Sequence, residues 1–165
     1  MNPNKGRLMV VSPQLQTLSC YEDNQLVHRY IVSTAKNGLG EEEGSECTPR
    51  GRHAIHSIIG LDAAPNYVFI GRVWTGEIYS PELAAQHPTR DWILTRILRL
   101  EGLEPGFNQG GTVDSFSRYI YIHGTPDETT MGEVGSRGCI RMKNADIIEL
   151  ATWAYVGLNV FIESY

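Results

Sequence analysis

The first half of the chain is a series of short β-prone runs broken by turn formers. Arg7–Val11, Leu15–Tyr21 and Leu26–Ser33 come first, and Arg52–Ile59 and Tyr67–Trp74 follow. Ser12-Pro13 separates the first two runs, and Glu22-Asp23-Asn24 separates the next pair with residues that a hairpin turn favours. Tyr67–Trp74 is rich in Val, Phe, Ile and Trp, which suit a pleated, half-buried surface. Tyr119–His123 and Asn159–Glu163 complete the set. The fold expected is therefore mainly β.

Two stretches are expected to be helical. Asp91 is a good N-cap for a helix over Trp92–Glu101, with Ile93, Leu94, Ile97 and Leu98 on one stripe and Gly102 closing it. Asn144 is the expected cap of a second helix, with Ile147, Leu150, Ala151 and Ala154 on one face and Gly157 past its end. No repeat or linker divides the chain. Its 165 residues can bury a core without disulfide staples. The expectation is a single β-rich domain over residues 1–165 with a few peripheral helices.

Composition excludes several classes. With 41% hydrophobic and 20% charged residues the chain is not a disordered one. A net charge of −5 and the lack of a basic stripe argue against a nucleic-acid partner. No window approaches the roughly 18 apolar residues of a membrane helix, so no membrane partner is expected. The apolar patch Leu8–Val11 is too short for a secretory signal, and no hydrophobic segment precedes Cys20 as it would a lipid-attachment cysteine. Cysteines at 20, 47 and 139 form no disulfide framework. Together these features lead to the expectation of a cytoplasmic protein, or a periplasmic one if a native signal peptide has been removed.

Most residues with catalytic potential have plainer readings. The run Glu41-Glu42-Glu43 lies in a loop over residues 36–50 and reads as a solvated face. His53 and His56 look like a metal pair, but an odd separation on a strand points them to opposite faces, and no Cys-x-x-Cys supports zinc. His28 and His87 read as surface residues, and Cys20 and Cys47 as packing or loop thiols. Neither a metal nor any other cofactor is expected.

His123 and Cys139 stand apart. His123 ends the run Arg118-Tyr119-Ile120-Tyr121-Ile122 and is followed at once by Gly124-Thr125-Pro126. The loop 124–138 holds Gly124, Gly132, Gly135 and Gly138, then delivers Cys139. Such a loop can fold back and set a thiol beside a strand-end imidazole, with glycines turning backbone N–H groups inward. A thiol, a base and backbone donors are the ingredients of cysteine acyl transfer. Spacing by itself also allows both residues to be core residues.

The segment Ile122-His123-Gly124-Thr125, followed by Ser136-Arg137-Gly138-Cys139-Ile140-Arg141-Met142, resembles the active-site signature of the L,D-transpeptidase (YkuD-like) family. The resemblance extends to Thr48-Pro49-Arg50-Gly51, similar to that family's TPxG turn, and to Asn144 and Asp146 downstream. It implies a β-rich catalytic domain with Cys139 as nucleophile, His123 as base and the Gly124 carbonyl orienting the imidazole. It further implies an oxyanion hole from the N–H groups of Gly138 and Cys139, and substrate contacts from Arg141, Ser136 and Arg137. Arg141 would hold a carboxylate and Ser136 would shape the loop. Arg137 stands where many members have histidine, which would alter substrate or acceptor preference. The implied substrate is a peptidoglycan stem peptide or muropeptide, cut between meso-diaminopimelate and D-Ala, and carbapenems are the implied inhibitors. With no export signal read in the chain, the favoured outcome is an L,D-carboxypeptidase of peptidoglycan recycling. A secreted cross-linking transpeptidase and a non-catalytic muropeptide-binding module are the alternatives. The stretch 76–117 is less typical of the family, and is expected to form either a lid or wall over the cleft or a helix that completes the core.

Overall fold

The computed structural model describes residues 6–165. The chain opens as an antiparallel meander: β1 (Arg7–Ser12), β2 (Thr17–Glu22) and β3 (Gln25–Ile31). Asp23 and Asn24 both take left-handed φ, 48° and 66°, which is what the tight turn between β2 and β3 requires. Then come β4 (Gly51–Ile59), β5 (Tyr67–Ile70), β6 (Val73–Ile78), β7 (Leu94–Gly102), β8 (Tyr121–Thr125), β9 (Ile140–Lys143) and β10 (Asn159–Ile162). They form one ten-stranded sheet in the order β3-β2-β1-β10-β4-β7-β5-β6, with β8 branching from β7 and β9 pairing β8. Among the described strands the β1–β10 and β8–β9 ladders are parallel and the rest antiparallel. The mainly β expectation is correct.

Two local expectations change. Tyr67–Trp74 is not one strand but a hairpin, turned by Gly71 and Arg72 at φ 56° and 67°. The larger correction is Trp92–Glu101. It forms no helix; Leu94–Gly102 is β7, paired to β8 on one side and to β4 on the other, with β5 meeting its start at Leu94 opposite β8. A central strand is covered on both faces, so burial is nearly continuous along it; Leu94, Ile97, Leu98 and Leu100 then show no strand alternation and, with Ile93, imitate a helical stripe. Gly102 is not a helix terminator. A Cβ there would lie 2.0 Å from the Asn108 carbonyl oxygen, so the position needs glycine for close approach.

The helices are α1 (Pro81–Gln86), capped by Ser80 Oγ, which accepts from Leu83 N–H at 3.1 Å, and α2 (Asn144–Trp153). Asn144 is the first residue of α2 rather than its side-chain cap. Its Oδ1 accepts from Thr95 Oγ1 at 2.6 Å, and its Nδ2 donates to Asn66 and Asp127. Ile147, Leu150 and Ala151 bury the expected face. They pack over one side of β7, β8 and β9, with Met9, Val11, Ile55, Leu98, Leu100, Ile122, Ile140 and Met142 in the same core.

The acidic run is only partly a solvated face. Glu42 and Glu43 are exposed, but Glu41 is buried and accepts a fork from Arg50, Nε at 3.0 Å and Nη2 at 2.8 Å. The stretch 104–109 does not roof the cleft. Asn108 is fully buried there and donates to the Arg50 and Arg52 carbonyls at the start of β4. Asp91, Ile93 and Ser117 are the residues of 76–117 that reach the cleft.

Candidate active site

Adjacent side chains of β8 and β9 point to opposite faces of the sheet. The parallel register sets Ile122 beside Ile140 and His123 beside Arg141. Ile122, Ile140 and Met142 enter the core under α2. Tyr121, His123, Cys139 and Arg141 alternate with them and so share the other face. His53 and His56 also part company, as expected: His53 is buried, with Nε2 2.8 Å from Ser115 Oγ, while His56 is exposed. Cys20 lies in the core, and Cys47 is held in its loop near the Asn37 and Ser45 carbonyls.

Cys139 lies at the end of the glycine loop, just ahead of β9. Its Sγ accepts from Tyr121 N–H at 3.3 Å and is 3.4 Å from the Tyr119 carbonyl oxygen. Tyr119 itself has φ 57°, an uncommon conformation for a bulky residue outside a tight hairpin turn. His123 Nδ1 is 2.6 Å from the Gly124 carbonyl oxygen. A carbonyl only accepts, so Nδ1 carries the proton and Nε2 carries the basic lone pair. Nε2 is buried and has no hydrogen-bond partner among the described residues. Gly124 is fixed by its surroundings: a Cβ would stand 2.5 Å from the Leu94 carbonyl oxygen and 2.6 Å from Asn144 Oδ1.

Burial decides the resting charge of this pair. It pushes the Cys139 thiol up to about 12, against smaller opposing effects from the Tyr121 N–H, Arg141 and Arg118. It pushes the His123 imidazole below its ordinary value, against Asp91 and the Gly124 hydrogen bond, which favour the cation. At neutral pH the thiol and imidazole are both uncharged.

The loops around Cys139 are tied to one another. Thr48, fully buried, accepts from Ala35 N–H at 3.0 Å and donates to the Gly138 carbonyl at 2.9 Å. The Thr48-Pro49-Arg50-Gly51 segment thereby anchors the cysteine loop. Ser136 Oγ donates to the Cys139 carbonyl and accepts from Gly138 N–H at 3.2 Å. Ser136 thus shapes the loop. The Gly138 N–H, expected in an oxyanion hole, donates to that hydroxyl in this structure, and the backbone donor that meets the thiol is the Tyr121 N–H. Gly138 adopts φ 127°, which L side chains rarely take, and an added Cβ would crowd the Cys47 carbonyl oxygen at 3.2 Å.

A cleft of about 680 Å³ opens over Cys139. Arg72, Arg118 and Arg137 line it, with Glu43, Glu46 and Asp91. Arg137 is exposed and donates to the Thr89 carbonyl at 2.9 Å. Arg141, the expected carboxylate grip, is paired within the protein in this structure. Its Nη2 donates to Asp91 Oδ1 at 2.9 Å and its Nη1 to the Gly135 carbonyl at 3.0 Å. Sequence reasoning misses Asp91, Arg72 and Tyr121 as cleft residues, because Asp91 reads as a helix cap and Arg72 sits inside a run that reads as a single strand.

The family model described as the YkuD L,D-transpeptidase catalytic domain matches residues 5–162. The L,D-transpeptidase-type protein YkuD of Bacillus subtilis is 37% identical over 82 residues, 49% of this chain and 48% of that protein. The chain spans about half the length of that relative. Among solved structures, L,D-transpeptidase 3 from Mycobacterium tuberculosis, in complex with a faropenem-derived adduct, superposes with a TM-score of 0.59 at 15% identity, covering 96% of this chain and 60% of that one. The Enterococcus faecium L,D-transpeptidase C442S mutant gives 0.58 at 13% identity, over 96% and 50%. These structural likenesses speak to the fold, and the family model to descent: the chain belongs to the YkuD L,D-transpeptidase catalytic-domain family.

Proposed function

We propose that the protein is a cysteine-dependent acyl-transfer enzyme that cuts the bond between meso-diaminopimelate and D-Ala in peptidoglycan tetrapeptides. The observation that carries the reading is the pairing of two features on one sheet face. One is a thiol open to a large cleft. The other is a buried imidazole whose Nδ1–H is held by Gly124 and whose Nε2 has no partner.

In this reading His123 Nε2 takes the Cys139 proton as Sγ attacks the scissile carbonyl carbon. The oxyanion is received by the backbone N–H groups of Cys139 and Tyr121. The imidazolium returns its proton to the departing amine, D-Ala leaves, and a thioester remains. Neutral resting groups suit this order, because charge is created only once substrate excludes water. Asp91, nearby and anionic, offsets the positive charge of the transient imidazolium.

Water is the proposed acceptor, giving an L,D-carboxypeptidase that trims tetrapeptides to tripeptides. Support comes from the cleft, where the thioester would remain within reach of solvent and the stretch 104–109 packs elsewhere. The setting proposed with it is the cytoplasm and the substrate a soluble muropeptide in recycling, which cell fractionation checks. A disaccharide-tetrapeptide incubated alone is expected to lose D-Ala and accumulate tripeptide. An equimolar diamino-acid-bearing acceptor is expected to yield little dimer. Dimer as the dominant product would move the protein to the cross-linking reading.

A further inference from the structure

Acyl transfer from a peptide end requires something to hold the terminal carboxylate. Arg141 is badly placed for it. Its Nη2 is paired with Asp91 and its Nη1 with the Gly135 carbonyl, and it lines a recess of about 120 Å³ that adjoins the Cys139 cleft and shares Asp91 and Arg137 with it. Of the arginines in the cleft, Arg118 donates to the Gly40, Glu41 and Cys47 carbonyls, so its guanidinium is used in folding the 36–50 loop. Arg137 is exposed and donates to the Thr89 carbonyl, with no second anchor.

Arg72 is different on three counts. It occupies the second position of the β5–β6 turn at φ 67°, a conformation that Asn or Gly takes more readily. Its Nη1 donates to Tyr121 Oη at 2.9 Å, and its guanidinium carbon lies 4.9 Å from the centre of the Tyr119 ring. These two tyrosines are the residues whose backbones touch Cys139 Sγ. Arg72 is therefore a guanidinium fixed in orientation, on the cleft side of the nucleophile, and it forms no ion pair among the described residues.

We infer that Arg72, and not Arg141, receives the carboxylate of the residue that leaves. The inference rests on the acyl-transfer reading above. With the scissile carbonyl at Sγ, the leaving residue extends about 3.3–3.6 Å and a charge-assisted hydrogen bond adds about 2.7–2.9 Å. The Tyr121 side chain, with its 2.9 Å hydrogen bond to Arg72, links the guanidinium back to the thiol, which the Tyr121 N–H meets at 3.3 Å. Two of the guanidinium's donor edges can meet both carboxylate oxygens while Tyr121 holds the third. Arg141 then serves as a brace, tying the segment before β7 to the cysteine loop through Asp91 and Gly135.

The test compares a tetrapeptide with a free terminal carboxylate against its terminal carboxamide, and against a third peptide amidated only at the diaminopimelate side-chain carboxyl. Wild type is expected to prefer the free acid by about tenfold or more in kcat/KM. Arg72→Gln should bring the acid down to the carboxamide's level, so that the acid-to-carboxamide ratio of kcat/KM falls to about one; Arg72→Lys should keep part of the preference. Arg141→Gln should lower both and preserve their ratio. The side-chain-amidated peptide should behave as the free acid. Circular dichroism verifies folding of each variant. The inference is overturned if Arg72→Gln keeps the wild-type preference, if Arg141→Gln abolishes it, or if only side-chain amidation does. Turnover of none of the three peptides by wild type would refute the acyl-transfer reading itself, a different result from turnover without preference.

Discussion

The two faces of β8 and β9 are built from residues one position apart, yet they meet different environments. On one face Ile122, Ile140 and Met142 are fully buried against α2 and the central strands. On the other, Tyr121, His123, Cys139 and Arg141 make directed polar contacts, and a cleft replaces the covering layer. The first face draws its stability from apolar burial, which is non-directional. The second holds an unpartnered imidazole nitrogen and a half-buried thiol, which add little to stability. The pleat lets one short ladder do both jobs, because the core face fixes the register that aims the other.

If that division is real, neighbouring substitutions should have opposite signatures. Cys139→Ala is expected to lower turnover at least about a thousandfold while changing stability by less than about 1 kcal/mol. Ile140→Ala, the next residue, should cost about 2–5 kcal/mol of stability, with Tm falling by about 2–4 °C for each. Turnover and thermal denaturation of the two variants check this. Near-normal turnover in Cys139→Ala would remove the nucleophile from the cleft face. A smaller effect sharpens the electrostatic side of the comparison. Burial holds the thiol protonated up to about 12 and the imidazole neutral below its ordinary range. Alkylation of the resting Cys139 by uncharged iodoacetamide should therefore rise with pH beyond 9 without a plateau near neutrality. A plateau between about pH 5 and 8 would mean a thiolate–imidazolium pair. The same shift has a stability sign: the unfolded thiol ionises near 9.0 and the folded one later, so folding stability should fall between pH 9 and about 12. Cys20, raised in the same way within the core, adds to that loss.

Much of this was legible in the sequence because local chemistry and tertiary context agree there. Asp23-Asn24 is a turn in either view, and a strand does carry His123, though it spans Tyr121–Thr125 rather than ending at His123, because Tyr119 turns the chain at φ 57° and β9 extends the pairing to Thr125. The misreading at Trp92–Glu101 has a physical cause. A strand covered on both faces loses the alternation that marks a strand, and its Ile93, Leu94, Ile97 and Leu98 fall on a helical stripe by coincidence. Asp91 then looked like a cap, when its carboxylate pairs with Arg141, fifty positions along the chain. Gly71 was the available signal for the β5–β6 turn, and with it for Arg72. Long-range pairings such as Thr48 with Gly138 leave no periodic trace, so the motif marked Thr48 without revealing what it holds.

The reactive centre is most directly examined by exposing the protein to a carbapenem, then digesting it and locating the added mass. The mechanism requires one adduct, on the peptide that carries Cys139, absent from Cys139→Ala and formed far more slowly when His123 is replaced by Asn. An adduct on Cys20 or Cys47, or labelling of Cys139 that is indifferent to His123, would contradict it.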